Sequence, residues 1–327
     1  MSDTGSALIT GISGQDGSFL AELLLERGYR VTGLQRAAGD GALGLSEHLR
    51  DRLTLREGDL LDPSSLRDAV SAERPSEIYH LAAPSFVPAS WEDPDGTVRA
   101  IVGSCASLLQ AVREIDPTTR VFAAASGAIF GDALESPRSE MTPCLPTNPY
   151  SIAKLAAHQL VGAMREHDGL HASSGILFNH ESERRPEQFV TRRITRAAAA
   201  IALGLESSVT LGSLDAVRDW SYAGDIMAAA WLMLQQEAPG DYVLASGVGH
   251  TVAELARTAF ACVDLDAEAY VRVDPDLVRE PERAASVGDP TRARSELGWR
   301  AKVGFEGLVE RMVRFDLQAL EPMARAR

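Results

Sequence analysis

ALITGISGQDGSFLAELLLERG, residues 7–28, is the stretch on which the fold turns. Ala7-Leu8-Ile9-Thr10 is a short apolar run that stops at a glycine, and Phe19 to Glu26 has the spacing of an amphipathic helix before Gly28. The order is strand, glycine-rich turn, helix. In the turn Gly11-Ile12-Ser13-Gly14-Gln15-Asp16-Gly17, missing side chains would let the backbone approach an anion, and the helix N-terminus offers unpaired N–H groups. A pyrophosphate suits such a turn, although glycines that merely punctuate a loop look the same.

The flanking pattern favours the first alternative. Tyr29 to Leu34 forms a second apolar strand, Leu53 to Arg56 a third before Gly58-Asp59-Leu60-Leu61-Asp62, and Glu77 onward a fourth that runs into Leu81-Ala82-Ala83. Val121 to Ala125 is a fifth, ending at Ser126. Strands alternating with helical segments predict an α/β fold, a Rossmann-type doubly wound parallel sheet whose ligand crevice lies at the strands' carboxyl ends. After the second strand come Gln35 and Arg36, where an enzyme using NAD would carry an acidic residue for the ribose hydroxyls. An arginine suits the 2′-phosphate of NADP, and a solvated surface arginine is the plainer alternative. Asp59 would face the adenine and Ala82-Ala83 the pyrophosphate, with capping and packing as competing roles.

Composition narrows the function. A chain of 327 residues has room for a dinucleotide domain and a smaller substrate lobe. The net charge of −14 disfavours nucleic acid as a partner, because phosphate neutralisation requires a surplus of Lys and Arg. No apolar run is long enough to span a membrane, and the N-terminus lacks a targeting signal, so a cytoplasmic location is expected. Cys105, Cys144 and Cys262 are widely spaced without ligand patterns, which predicts three buried thiols with neither disulfide nor metal.

Pro149-Tyr150-Ser151-Ile152-Ala153-Lys154 follows the serine-terminated fifth strand. Tyr150 and Lys154 stand four apart, on one face of a helix, where an ammonium could lower the phenol's pKa and make it a usable base. A packed pair with a solvated head has the same spacing. The preceding dinucleotide turn and Ser126 together make the chemical reading the stronger one.

These residues resemble the extended short-chain dehydrogenase/reductase family, and within it the GDP-mannose 4,6-dehydratase branch. The resemblance covers almost the whole chain: ALITGISGQDGSFLAELLLERGY, SEIYHLAA, PTNPYSIAK, FNHESERRPEQFVTRRITRA, LGSLDAVRDW, DYVLASG and VGDPTRARSELGW. It implies Tyr150 as base, Lys154 on the nicotinamide ribose, Ser126 on the reacting hydroxyl and Ser85 on the sugar. It further implies a cofactor site of Gly11, Ser13, Gly14, Gln15, Asp16, Gly17, Arg36, Asp59, Leu60, Leu81, Ala82 and Ala83. For the nucleotide half of a GDP-linked sugar it implies Asn179, His180, Val190, Arg193, Leu211, Ser213, Arg218, Arg279 and Glu282. Arginine is the sensible diphosphate ligand in any case, since its planar fork donates two bonds at once. A homodimer or homotetramer is implied too, through a four-helix contact by helices near 97–114 and 150–166, with plain core packing of those helices as the alternative.

Three departures matter. Where the resembled dehydratases carry their elimination glutamate, this chain has Ala128, within Ser126-Gly127-Ala128-Ile129-Phe130-Gly131. A Gln-Ser-His turn reads Pro84-Ser85-Phe86, and a Gly-Thr pair reads Ser104-Cys105. A methyl group cannot move a proton at C5 or C6, whereas hydride transfer at C4 does not need it. The expected activity is transient oxidation at C4 of a GDP-mannose-like nucleotide-sugar with NADP, or NAD, leading to C4 epimerisation. The alternatives are a 4,6-dehydratase using another acid/base, a 4-keto reductase, and an NADP-sensing regulatory protein. The dinucleotide domain is expected over 1–178 plus about 219–250, and the nucleotide-sugar lobe over 179–218 and 251–327.

Overall fold

The structure, a computed structural model, describes residues 5–36, 43–277 and 285–326. Its strands are β1 (Ser6–Thr10), β2 (Arg30–Gln35), β3 (Thr54–Glu57), β4 (Glu77–His80), β5 (Arg120–Ala124), β6 (Ala172–Leu177), β7 (Asn179–Glu181), β8 (Val209–Leu211), β9 (Val217–Tyr222), β10 (Asp241–Leu244), β11 (Gly249–Thr251) and β12 (Val271–Val273). Seven form one parallel sheet in the order β10-β6-β5-β4-β1-β2-β3. Strand order reverses between β1 and β4, so the crevice opens at their carboxyl ends. Gly11 and Leu81-Ala82-Ala83 sit there.

Alternation along each strand builds the two faces of the sheet. Ile9, Tyr79 and Phe122 point to one side and pack with Phe19, Leu20 and Leu24 of helix Gln15–Glu26 and Ile226, Met227 and Met233 of helix Ala223–Gln235. Leu8, Ile78 and Val121 point to the other, onto Leu66, Val70, Leu108, Val112 and Val161. Each such side chain contributes about 1.5–3 kcal/mol on burial, so this double cover holds the strand ends, and the site they carry, in place.

The first helix begins at Gln15, one turn earlier than the apolar spacing shows, because Gln15 and Asp16 are polar while Gly14 provides the N-cap. Two glycines of the turn are dictated by space. Gly11 has φ +78°, and a Cβ there would stand 2.9 Å from the Ala82 nitrogen. A Cβ on Gly17 would lie 2.2 Å from the Gly11 carbonyl oxygen.

The smaller lobe carries a three-stranded sheet, β11-β9-β7, and the parallel pair β12-β8. Helices Val190–Ala202 and Phe305–Arg325 pack across it through Ile194, Ile201, Leu308, Met312 and Val313. Helix Ala223–Gln235 and β10 return to the large sheet, whereas β9 stays with the small one. Ala293, Leu297 and Trp299 also bury themselves in the large domain, although they fall in the stretch expected to belong to the sugar lobe. Of the three thiols expected inside, only Cys105 is buried. Cys144 is half-buried, and Cys262 is exposed because it caps helix Val252–Ala261, its Sγ 3.2 Å from the Thr258 carbonyl. Among the described residues no helix is long and apolar enough to cross a membrane.

Candidate active site

Helix Pro149–Asp168 places the central pair. A capping box between Asn148 and Ser151, with Pro149 at the first helical position, fixes its start. Tyr150 therefore lies in the first turn and Lys154 one turn on, both facing the loop after β5. Lys154 is 7% exposed, and its Nζ donates to the Ala124 carbonyl at 2.6 Å. Burial brings this ammonium down to a pKa of about 8, against the charges of Cys105 and Asp16. Ser126, two residues past β5, caps the short turn that follows and accepts from the Ala128 N–H at 3.2 Å.

The spacing predicts that Lys154 lowers the Tyr150 phenol; the structure reverses the sign. Burial raises the phenol above its ordinary value, and a hydrogen bond with Ser126 and the Arg185 charge offset only part of that. Lys154 Nζ is 5.9 Å from the ring centroid and committed to a carbonyl, which explains why it does not dominate.

Below the crevice runs a hydrogen-bonded chain that sequence reasoning missed. Thr10 Oγ1 accepts from the Leu81 and Ala82 N–H groups at 3.2 and 3.1 Å and lies 2.9 Å from His80 Nδ1. His80 Nε2 lies 3.0 Å from Ser104 Oγ, whose proton goes to the Ala100 carbonyl at 2.5 Å. Nε2 must therefore donate and Nδ1 accept, a neutral imidazole. Burial, helped by the Lys154 charge, drives His80 down to about 3, in accord with that tautomer. Ser104, a departure from the resembled pattern, thus sets the proton that orients the Leu81-Ala82 turn.

A second set spans the two lobes. Gln15 Nε2 donates to the His180 carbonyl at 3.1 Å, Ser182 Oγ donates to Gln15 Oε1 at 2.7 Å, and Arg184 reaches Ser18 and Glu22 at 2.9 and 2.6 Å. Asp16 pairs with His180 Nε2 at 3.0 Å while His180 Nδ1 meets the Phe178 carbonyl at 2.8 Å. The side chains of Gln15, Asp16 and His180 are thus engaged with one another across the crevice wall. Burial works against both charges of the ion pair. The His180 charge and hydrogen bond nevertheless hold the Asp16 carboxyl at about 2, and Asp16 raises the imidazole above its usual value. A depressed carboxyl stabilises the fold above its unfolded pKa of about 4 and loses that effect as pH falls through the folded value; a raised imidazole stabilises below about 6.5 and loses it as pH rises past its own. The clasp is strongest between those limits. Asp16→Asn should lower the melting temperature more at about pH 6 than at about pH 9, and thermal melts that showed an equal drop at both would refute this.

Arg185 is the other residue the sequence did not single out. It pairs with buried Glu181 at 3.1 Å, lies 3.6 Å over the Phe189 ring, and its charge reaches Tyr150, Asp16 and His180. Phe189 meets Phe86 edge-on at 6.0 Å, so the lobes touch through an aromatic pair.

The remaining expected residues scatter more. Ser13 and Gly14 are exposed at the turn, Leu60 and Leu81 are partly buried, and the exposed Asp59 side chain accepts from the Leu61 N–H at 2.9 Å, as a turn cap does. Arg36 is exposed at the end of β2, next to the buried and unpartnered Gln35 Oε1. That orphaned acceptor and the side-chain-free cradle at Gly11 and Gly17 both fit a dinucleotide. Ser85 and Ser213 are exposed, and Asn179 and Arg218 are half-buried on adjacent strands β7 and β9. Buried Asp219 steadies Arg218's strand by accepting from Ser246 and Gly247 N–H groups at 2.9 and 2.8 Å. Val190 and Arg193 are exposed on helix Val190–Ala202, Arg193 beside a cleft of about 210 Å³ shared with Glu187, Arg196 and Ser208. The Leu211 side chain is buried in the small lobe's core. Arg279 and Glu282 lie outside the described residues.

The family model described as GDP-mannose 4,6 dehydratase matches residues 8–312. The chain belongs to that family. GDP-mannose 4,6 dehydratase 2 of Arabidopsis thaliana is 45% identical over 95% of this chain and 87% of its own length. The GDP-mannose 4,6-dehydratase of Sinorhizobium fredii is 41% identical over 98% and 99%. Among solved structures, a Thermus thermophilus UDP-glucose 4-epimerase in complex with NAD superposes with a TM-score of 0.81 at 28% identity, covering 95% of this chain and 98% of that one. A Thermotoga maritima UDP-glucose 4-epimerase reaches 0.85 at 24% identity over 96% and 99%, a likeness of fold. The doubly wound sheet is common to this chain and these structures.

Proposed function

We propose that this chain oxidises C4 of a GDP-linked sugar transiently and returns the hydrogen with inversion, as a nucleotide-sugar C4 epimerase. The observation that carries the reading is Ser126, Tyr150 and Lys154 gathered at the crevice with Ala128, not a carboxylate, beside them. A nicotinamide, held at the Gly11–Gly17 turn with its adenosine end near Gln35 and Arg36, supplies the hydride acceptor and donor when bound; Arg36 favours NADP over NAD. Ser126 holds the C4 oxygen and Tyr150 takes its proton as the C4–H bond gives up its electron pair and C4=O forms. Lys154 anchors the cofactor's ribose and keeps a positive charge near the phenolate. Return of hydride to the opposite face, with the proton restored from Tyr150, completes the inversion.

The second reading is the relatives' printed activity, 4,6-dehydration of GDP-mannose. It needs a group other than residue 128 to move the C5 and C6 protons, a contribution of about 10²–10⁴ in rate. Incubation with GDP-sugars, followed by NMR of the products, decides. Expected is a C4-inverted sugar with no net change in NADP; a 4-keto-6-deoxy product from GDP-mannose supports dehydration, and stoichiometric consumption of NADPH supports a 4-keto reductase. A chain that bound NADP but turned over no nucleotide-sugar would be the regulatory protein instead.

A further inference from the structure

We infer that Ser46 is a positioning residue for the cofactor: it holds the Gly11–Gly17 turn with its carbonyls withdrawn, so that the turn's N–H groups stay free for the dinucleotide's pyrophosphate. The inference rests on the seating of the cofactor at that turn proposed above, and not on the C4 chemistry.

An anion repels carbonyl oxygens and attracts N–H groups, so a phosphate cradle must commit its carbonyls elsewhere. This turn commits every carbonyl from Gly11 to Gly14. The Gly11 carbonyl takes the Gly14 N–H at 3.0 Å and the Gly14 carbonyl takes the Ser18 N–H at 3.0 Å, both from within the turn and its helix. The two between them are met from outside, by the 3₁₀ segment Gly44–Arg52. Ser46 Oγ donates to the Ile12 carbonyl at 2.5 Å, and the Leu45 N–H donates to the Ser13 carbonyl at 3.2 Å. By contrast, the N–H groups of Ser13, Gln15 and Asp16 make no hydrogen bond among the described residues. In a trans peptide the C=O and N–H point opposite ways, so tying the Ile12 carbonyl to Ser46 turns the Ser13 N–H away from that segment.

The segment itself is firmly held. Leu43 and Leu49 bury in the core that also takes Ile12 and Leu20, and Ser46 is fully buried, its N–H bonded to the Leu43 carbonyl at 2.9 Å. Gly44 allows the close approach: its φ is +50°, and a Cβ there would stand 2.8 Å from the Ser13 carbonyl oxygen. Without the Ser46 hydroxyl the buried Ile12 carbonyl loses its partner, and a flip of the Ile12–Ser13 peptide that aims this carbonyl at the opposite side of the turn is no longer resisted.

The test titrates NADPH by fluorescence and follows thermal melting in the parent protein and its variants. Ser46→Ala is expected to weaken NADPH by about tenfold, the usual worth of one buried hydrogen bond. Ser46→Cys, a weak donor of similar size, should lose less. Leu49→Ala thins the same segment without touching the turn's carbonyls, and should lower the melting temperature while leaving NADPH affinity unchanged. Equal weakening by Ser46→Ala and Leu49→Ala would make the effect one of general stability and overturn the inference. Gly17→Ala checks the seating of the cofactor, because a Cβ there would lie 2.2 Å from the Gly11 carbonyl oxygen. NADPH affinity lost in Gly17→Ala but intact in Ser46→Ala keeps the seating and rejects the role of Ser46; affinity intact in both rejects the two together.

Discussion

Tyr150→Phe is expected to cut hydride transfer by about 10²–10⁴, the usual worth of a positioned proton acceptor, with cofactor affinity nearly unchanged. The phenol ring stays, so its packing against the core around helix Pro149–Asp168 stays too. Only the hydroxyl is lost, and with it the hydrogen bond to Ser126 and the sole proton acceptor proposed for the C4 oxygen. Stopped-flow reduction of bound NADP by a nucleotide-sugar, beside a fluorescence titration of NADPH binding, separates the two effects. A variant that transferred hydride within threefold of the parent would remove Tyr150 from the mechanism.

The largest loss of stability is expected far from the crevice. Asp316 is 1% exposed and accepts from Arg192 Nε and Nη2 at 2.9 and 2.6 Å and from Thr195 Oγ1 at 2.9 Å, joining helices Val190–Ala202 and Phe305–Arg325. Burial raises its carboxyl pKa, and Arg192's bonds and charge, which pull the other way, do not cancel the rise. The pair therefore does not fully offset its own desolvation. Removing one partner is nonetheless severe, because the other charge stays behind without water. Asp316→Ala should cost roughly 3–5 kcal/mol in urea unfolding, while an Arg192→Met, Asp316→Leu double variant should regain most of it. A single variant as stable as the parent would show that water already reaches the pair.

Where the chain repeats a pattern locally, the sequence was readable. The Gly11–Gly17 turn, the alternating strands and the Tyr150/Lys154 spacing each carry a signal within a few residues, and the crevice follows from their order. Arg185 and His80 carried no such signal. Arg185 sits among Glu183, Arg184 and Glu187, in a run that reads as a solvated loop, and only the meeting of two lobes turns it toward Tyr150. His80 closes a strand whose other side chains are buried, and its role depends on Thr10 and Ser104, distant in the chain. The sign of the Tyr150 shift was missed for a related reason: spacing gives the distance to Lys154 but not the depth of burial, and burial is the larger effect.

The position of β10 at the edge of the large sheet has a consequence for how the chain matures. β6, Ala172-Ser173-Ser174-Gly175-Ile176-Leu177, is buried throughout, yet its outer hydrogen-bonding edge is met only by Asp241–Leu244, and Trp299 seals the same core later still. During synthesis the nascent domain must wait, with a bare apolar ribbon at its rim, for some seventy further residues to leave the ribosome. The large sheet is closed on this side only once Asp241–Leu244 has been made, which ties its completion to chain that also builds the smaller lobe.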